Sequence, residues 1–222
     1  MKNLSLSIKE TSLVIYVTKQ LNHYFPDDEV VSENKVASLV YNALSRIERC
    51  FQTINLPYYR KDENPFFNHL HGDHYSAFLY ILSRQAYLNG LESLAAKIFL
   101  FNKLLFGIDA FYTIQLPESF VFVHPLGTIL GRATYSNYFV VYQGVTVGAN
   151  AKGIYPAFSE QTLLFSNSSV IGECQVGKNF VLGSMSSLID TIVPDNKVLV
   201  GNYPNHKILN NSSNQIEKYF LL

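Results

Sequence analysis

Tryptophan is absent from this chain, cysteine and methionine occur twice each, and only 15% of residues are charged. Two cysteines, Cys50 and Cys174, far apart in the sequence, exclude a disulfide framework and predict two reduced thiols. Seventeen basic residues against seventeen acidic ones, with no basic run, argue against nucleic acid or an acidic membrane surface as the main partner. The opening MKNLSLSIKETSLVIYV has no sustained apolar core leading to a small-residue cleavage site. No apolar stretch approaches membrane-spanning length, so a cytoplasmic protein without membrane insertion is expected, and the Asn-x-Ser triplets at Asn167, Asn210 and Asn211 carry no glycosylation meaning.

What is present is apolar and aromatic. The 222 residues are 48% apolar, enough for one large domain or two small ones, and 16 Phe with 15 Tyr predict a bulky core or large aromatic interfaces.

From Ile108 onward the apolar residues fall six apart. Ile108, Ile114 and Phe120 make one register, which Leu126 continues; Ile129, Tyr135, Val141 and Val147 make a second; Val170, Val176, Leu182 and Leu188 make a third. A period of six fits neither a helix nor an amphipathic strand. It suits a chain that turns a corner every six residues with one apolar side chain inside at each step, a parallel β-helix. Gly148, Gly177 and Gly183 each follow one of these apolar positions.

Upstream the period is helical. Leu13, Val14, Val17 and Leu21 predict a helix over 4–24, ended near Pro26. Ser32 is placed to cap a second, running through Val36, Leu39, Val40, Leu44, Ile47 and Phe51. Residues 57–71 read as loop, helical spacing resumes from about Tyr75 to Asn89, and a last helix runs from Leu91 to about Phe106 with Gly107 as its C-cap. The expected organisation is α+β: a helical region over 1–107, a β-helix over 108–209 and a tail over 210–222 that is either a short helix or a strand for a partner subunit.

The words HPLGTILG, YQGVTVG and VGKNFVLGSMSSLI resemble the hexapeptide-repeat acyltransferases, in particular the serine acetyltransferases, whose corresponding words are HATGIVIG, LQSVTLGG and VGRGAKIGAGSVVL. The resemblance covers most of 108–205. It implies a left-handed parallel β-helix, a homotrimer or dimer of trimers, and acetyl-CoA as co-substrate in a groove between subunits. HPLG falls on HATG, so His124 matches the family's catalytic histidine. The family has an aspartate fifteen residues before it, where this chain has Asp109, although the local words differ, IDAFYT against VDIHPA.

Acyl transfer from a thioester to a hydroxyl needs a base, donors for the developing oxyanion and a groove for the donor's arm. Histidine suits the first task because its ordinary pKa lies near neutrality, and a carboxylate on one ring nitrogen would fix the tautomer. By analogy the Gly144–Gly148 backbone supplies oxyanion donors, Gly148, Ala149, Lys152, Gly183 and Lys207 are the CoA-binding candidates, and His71, Asp73, Tyr142, Gln143 and Tyr155 the acceptor-binding ones. The 148–160 excursion, GANAKGIYPAFSE, matches the family's flexible loop over the acceptor and the pantetheine arm.

The family holds serine partly with an aspartate just before the histidine and an Arg-His pair before a loop proline. Here those places are Val123 and Ile154-Tyr155. A site without those charges suits an uncharged hydroxyl compound, such as a sugar or polysaccharide precursor, better than a zwitterion. L-serine, and a non-catalytic scaffold of the same fold, stand as alternatives. The NHLHGDH cluster, with His69, His71, Asp73 and His74, is too tightly spaced for a usual structural zinc site, so no metal is expected; N-capping by Asp73 is the plain reading and acceptor contact the other. GANAKG lacks a P-loop's ending and does not open a helix.

Overall fold

The computed structural model describes residues 3–222. Four helices precede the solenoid: α1 (Glu10–Tyr24), α2 (Glu33–Gln52), α3 (Gly72–Leu88) and α4 (Glu92–Phe106). Each end follows local chemistry. The Ser32 hydroxyl accepts from the Lys35 amide at the start of α2, and Gly107 closes α4 in the left-handed conformation, φ 64°.

Two regions ahead of α3 depart from the sequence reading. Residues Ser5–Leu6 form a strand before α1, and the stretch read as loop holds a 3-10 turn, Pro57–Tyr59, and a hairpin of Arg60–Lys61 with Asn64–Phe67. Ser5–Leu6 pairs with Asn64–Phe67, so these short strands are stabilised by a partner remote in sequence, which local spacing does not reveal. Helix α3 begins a turn earlier than its apolar spacing suggests. It is buried nearly all round, packed against α2, α4 and the strand Phe120–Val123, which is why its periodicity is blurred.

The solenoid has three faces. Phe120–Val123, Phe139–Tyr142, Thr162–Leu164, Phe180–Leu182 and Lys197–Val200 stack in parallel on one. Asp109–Ala110, Ile129–Leu130, Thr146–Gly148, Ser169–Ile171 and Ser187–Ile189 form the second, and Ala157–Phe158, Gln175–Val176 and Ile192–Val193 the third. Leu163 lies beside Val181, Val170 beside Leu188 and Ala157 beside Gln175, each eighteen residues on, which is three steps of six per turn. The step from Val140 to Leu163 is five longer, and the extra chain lies between Gly148 and Ala157.

Ala110, Leu130, Val147, Val170 and Leu188 form one inward column, buried throughout. Most six-spaced residues named from the sequence point inward. Leu126 and Ile129 do not: they are 70% and 47% exposed. Leu130 takes the inward place instead of Ile129, because the first corner, from Phe122 to Leu130, is two residues longer than the step from Val141 to Val147.

The helical region is bolted to the first coil. The Tyr80 hydroxyl donates to the Ile114 carbonyl (2.7 Å) and accepts from the Leu116 amide (2.9 Å). The Arg84 guanidinium reaches the carbonyls of Tyr112, Thr113 and Ile114, and that of Arg46 those of Pro117 and Glu118. The tail joins the same seam. Lys207–Asn210 folds back antiparallel on Lys197–Val200, and a 3-10 turn, Gln215–Lys218, delivers Tyr219 and Phe220 back against residues 53–55. Among the described residues no helix is long and apolar enough to cross a membrane.

Candidate active site

The corner that ends Phe120–Val123 sets the site. In later coils the left-handed corner residue is Gly144, Asn167 or Met185, three places after the inward residues Val141, Leu164 and Leu182. In the first coil the matching residue is Gly127, φ 74°, three before the inward Leu130, and the Leu126 carbonyl beside it accepts the Gly144 amide, so this corner is two residues longer than the later ones. The lengthened corner carries a second left-handed residue, His124, at φ 48° and directly before Pro125. A non-glycine residue held there costs of order 1–3 kcal/mol unless its surroundings over-determine it. The side chain of His124 is thrown outward, 78% exposed.

What holds the corner comes from the helical region. Asp73, in the first turn of α3, accepts the His124 amide N–H on Oδ1 at 3.0 Å, and the same oxygen lies 3.9 Å from His124 Nδ1. Its side chain is 5% exposed. Burial pushes the Asp73 carboxyl up, opposed by that amide and by the imidazoles of His71 and His124. This corrects the expectation of an N-cap: residue His71 occupies the cap position of α3 without a side-chain hydrogen bond, and Asp73 is turned toward the solenoid instead.

Asp109, expected to orient His124, is elsewhere engaged. Its Oδ2 lies 2.6 Å from Lys103 Nζ, and no hydrogen bond or ion pair links it to the histidine. The pairing is local, between the last turn of α4 and the first solenoid strand, and spacing alone could not foresee it. Among the described residues Asp73 is the one carboxylate within ion-pair reach of His124.

His124 stands at the mouth of a hollow of about 230 Å³, lined by Gly72, Asp73, Leu105, Phe106, Pro125 and Leu126. Beside it the other candidates form an aromatic wall. His71 stacks on Tyr58 with centroids 5.0 Å apart and lies 4.2 Å from His74. His74 is fully buried; Nδ1 accepts from the Asn68 amide, Nε2 has no partner, and burial drives its pKa down to about 3. Burial also lowers His71 and His69, and His69 shares a 2.7 Å hydrogen bond with Ser7. Among the described residues no group of three or more His, Cys, Asp and Glu side chains is placed to hold a metal ion.

Tyr142 lies beside Val123 in the next coil, and its hydroxyl is 2.6 Å from that of Tyr219. Gln143 follows it, with a buried, unpartnered Oε1. Tyr219 is a residue that sequence reasoning missed: nothing in QIEKYFLL signals a return of the tail to this wall. Tyr155 is at a different corner, packed over Gly131. Gly148, Ala149 and Lys152 lie at the inserted loop, whereas Gly183 and Lys207 belong to the six-stranded face; none of the five lines the hollow beside His124. Another hollow, about 290 Å³, is bordered by Arg46 and Arg84, but both guanidiniums are spent on carbonyls of the seam.

No protein-family profile matches the chain. A serine acetyltransferase from Synechococcus elongatus is 27% identical over 104 residues, 45% of this chain and 42% of that protein, so the match spans less than half of the curated relative. Among solved structures, the Brucella abortus serine acetyltransferase in complex with coenzyme A superposes with a TM-score of 0.70 at 16% identity, covering 93% of this chain and 84% of that one. The soybean serine acetyltransferase complexed with serine gives 0.68 at 18%, covering 91% and 85%. The chain has the serine acetyltransferase fold. Within that fold, this chain puts a buried helical-region aspartate against the corner histidine and leaves the hollow beside it lined largely by apolar groups.

Proposed function

We propose that the protein is an acetyl-CoA-dependent O-acetyltransferase with His124 as general base, acting on a hydroxyl of an uncharged small molecule or saccharide precursor. The observation that carries this reading is an exposed imidazole fixed at a strained solenoid corner, at the mouth of a mainly apolar hollow. The imidazole takes the acceptor's hydroxyl proton as the oxygen attacks the thioester carbonyl. Collapse of the intermediate breaks the C–S bond, and the imidazolium returns the proton to the departing thiolate.

The choice of acceptor rests on charge. Among the described residues no Lys or Arg lines the hollow beside His124, so a free carboxylate would find no partner there. The exposed Leu126 and Ile129 beside the corner suit burial against another copy, which supports a trimer with CoA between copies. An enzyme drawing on acetyl-CoA would work in the cytoplasm.

The test is thiol release from acetyl-CoA with L-serine in one series and sugars and nucleotide-sugars in the other. Release with a sugar alone supports the reading; release with serine alone replaces the acceptor. His124→Asn, which tolerates the left-handed corner, should leave CoA binding intact and lower turnover on the order of 10²–10⁴-fold. Near-normal turnover in that variant removes the mechanism.

A further inference from the structure

We propose that Asp73, contributed by α3 of the helical region, is the positioning residue of His124, in the place where the solenoid's own Asp109 was expected. The inference rests on the reading of His124 as base. Three observations on the molecule converge on it.

The first is backbone geometry. His124 occupies a left-handed conformation uncommon for a non-glycine residue, in a corner two residues longer than those of the later coils. The His124 amide donates its hydrogen bond to Asp73 Oδ1 at 3.0 Å. The anchor is a side chain fifty-one residues earlier in sequence, on a helix that is itself buried almost throughout.

The second is charge. The same oxygen is 3.9 Å from His124 Nδ1, and the carboxylate is almost wholly withdrawn from water. A buried carboxylate is retained where it is hydrogen-bonded and paired. Before proton transfer its one amide bond holds the ring's attachment point; after transfer its charge faces the new imidazolium. The other titratable groups around it are His71, Tyr58 and Tyr59; burial lowers His71 and raises both tyrosines, which leaves the carboxylate as the anion facing the ring.

The third is the state of the competitor. Asp109 is paired with Lys103, in the last turn of α4, at 2.6 Å. A carboxylate already paired with an ammonium has little charge to offer a second cation. Asp73 also lies in the first turn of α3, where the helix favours a negative charge.

Three variants and two readouts test this. Asp73→Asn keeps an oxygen for the His124 amide and removes the charge; Asp73→Ala removes both; Asp109→Asn removes the competitor. Steady-state thiol release gives kcat and KM, and amide hydrogen exchange at His124 gives the anchor independently of any activity. Asp73→Ala is expected to expose the His124 amide to exchange and to lower kcat about 100-fold, with KM for acetyl-CoA within twofold. Asp73→Asn should restore the protection and recover part of the rate, remaining about tenfold below the parent, while Asp109→Asn stays within twofold. If Asp73→Ala folds poorly, the Asn variant still decides, since its charge loss alone must cost rate. Unchanged kcat in Asp73→Asn, a larger loss in Asp109→Asn, or undiminished protection in Asp73→Ala would each overturn the assignment. A protein inactive with every acceptor would instead count against the proposed function, and the exchange data would still report on the anchor.

Discussion

His74 shows how one buried ring couples this fold to pH. It is packed among Phe51, Tyr59 and Phe67, with only Nδ1 hydrogen-bonded, so protonation would bury an unpaired cation. Its folded pKa, about 3, lies below the ordinary 6.5. The neutral ring therefore stabilises the fold fully above 6.5, and that contribution is lost as pH falls toward about 3, because the unfolded chain binds the proton first. Between pH 7 and 5 the loss approaches about 2 kcal/mol, with His71 acting in the same sense. Urea midpoints should fall over this interval, which lies above the carboxylate range. His74→Phe should flatten the dependence, at the cost of roughly 1–3 kcal/mol at neutral pH for the unpaired Asn68 amide. A variant with the parent's pH slope would assign the acid sensitivity elsewhere.

At the scale of elements, the corners are where the solenoid is most exacting. Tyr138, Gln161, Asn179 and Asn196 stack as one left-handed column ahead of the six-stranded face, and Gly144, Asn167 and Met185 as another behind it. Gly144, at φ 68°, is crowded by the Asn167 side chain, so an added Cβ meets both a forbidden backbone and an occupied space. Gly144→Ala should cost about 2 kcal/mol or more, read as a lowered denaturation midpoint. The repeat itself was legible from sequence, because an inward residue every six places is a local pattern that each coil states again. The breaks in it were not. Leu126 and Ile129 keep the spacing but face outward, since two extra residues lengthen the first corner between Phe122 and Leu130. His124 stands out by its surrounding words, whereas Asp73 was read as a cap or an acceptor contact: its bond crosses from helix to coil, and Asp109 had the expected spacing but a lysine one helical terminus away.

The whole molecule is closed by its last residues. The Asn55 amide donates to the Tyr219 carbonyl and the Leu221 amide to the Thr53 carbonyl, both at 2.8 Å, while Phe220 is buried edge-on against Tyr138 with centroids 5.3 Å apart. The tail thus ties the end of α2 to the second coil, and through the Tyr219–Tyr142 bond to the wall beside the site. Phe220→Ala should leave a cavity at that three-way junction and cost about 3–5 kcal/mol. For a chain of this size that corresponds to a fall in melting temperature of roughly 6–20 °C. Tyr219→Phe removes only a hydroxyl pair and should cost about 1 kcal/mol, with the larger effect on the acceptor's KM if the tail forms part of that wall. Calorimetry and steady-state kinetics on the two variants separate the roles. A tail that merely rests on the surface would leave both melting temperatures unchanged, whereas a tail that closes the junction makes the helical region and the solenoid melt as one unit in the parent and less sharply in Phe220→Ala.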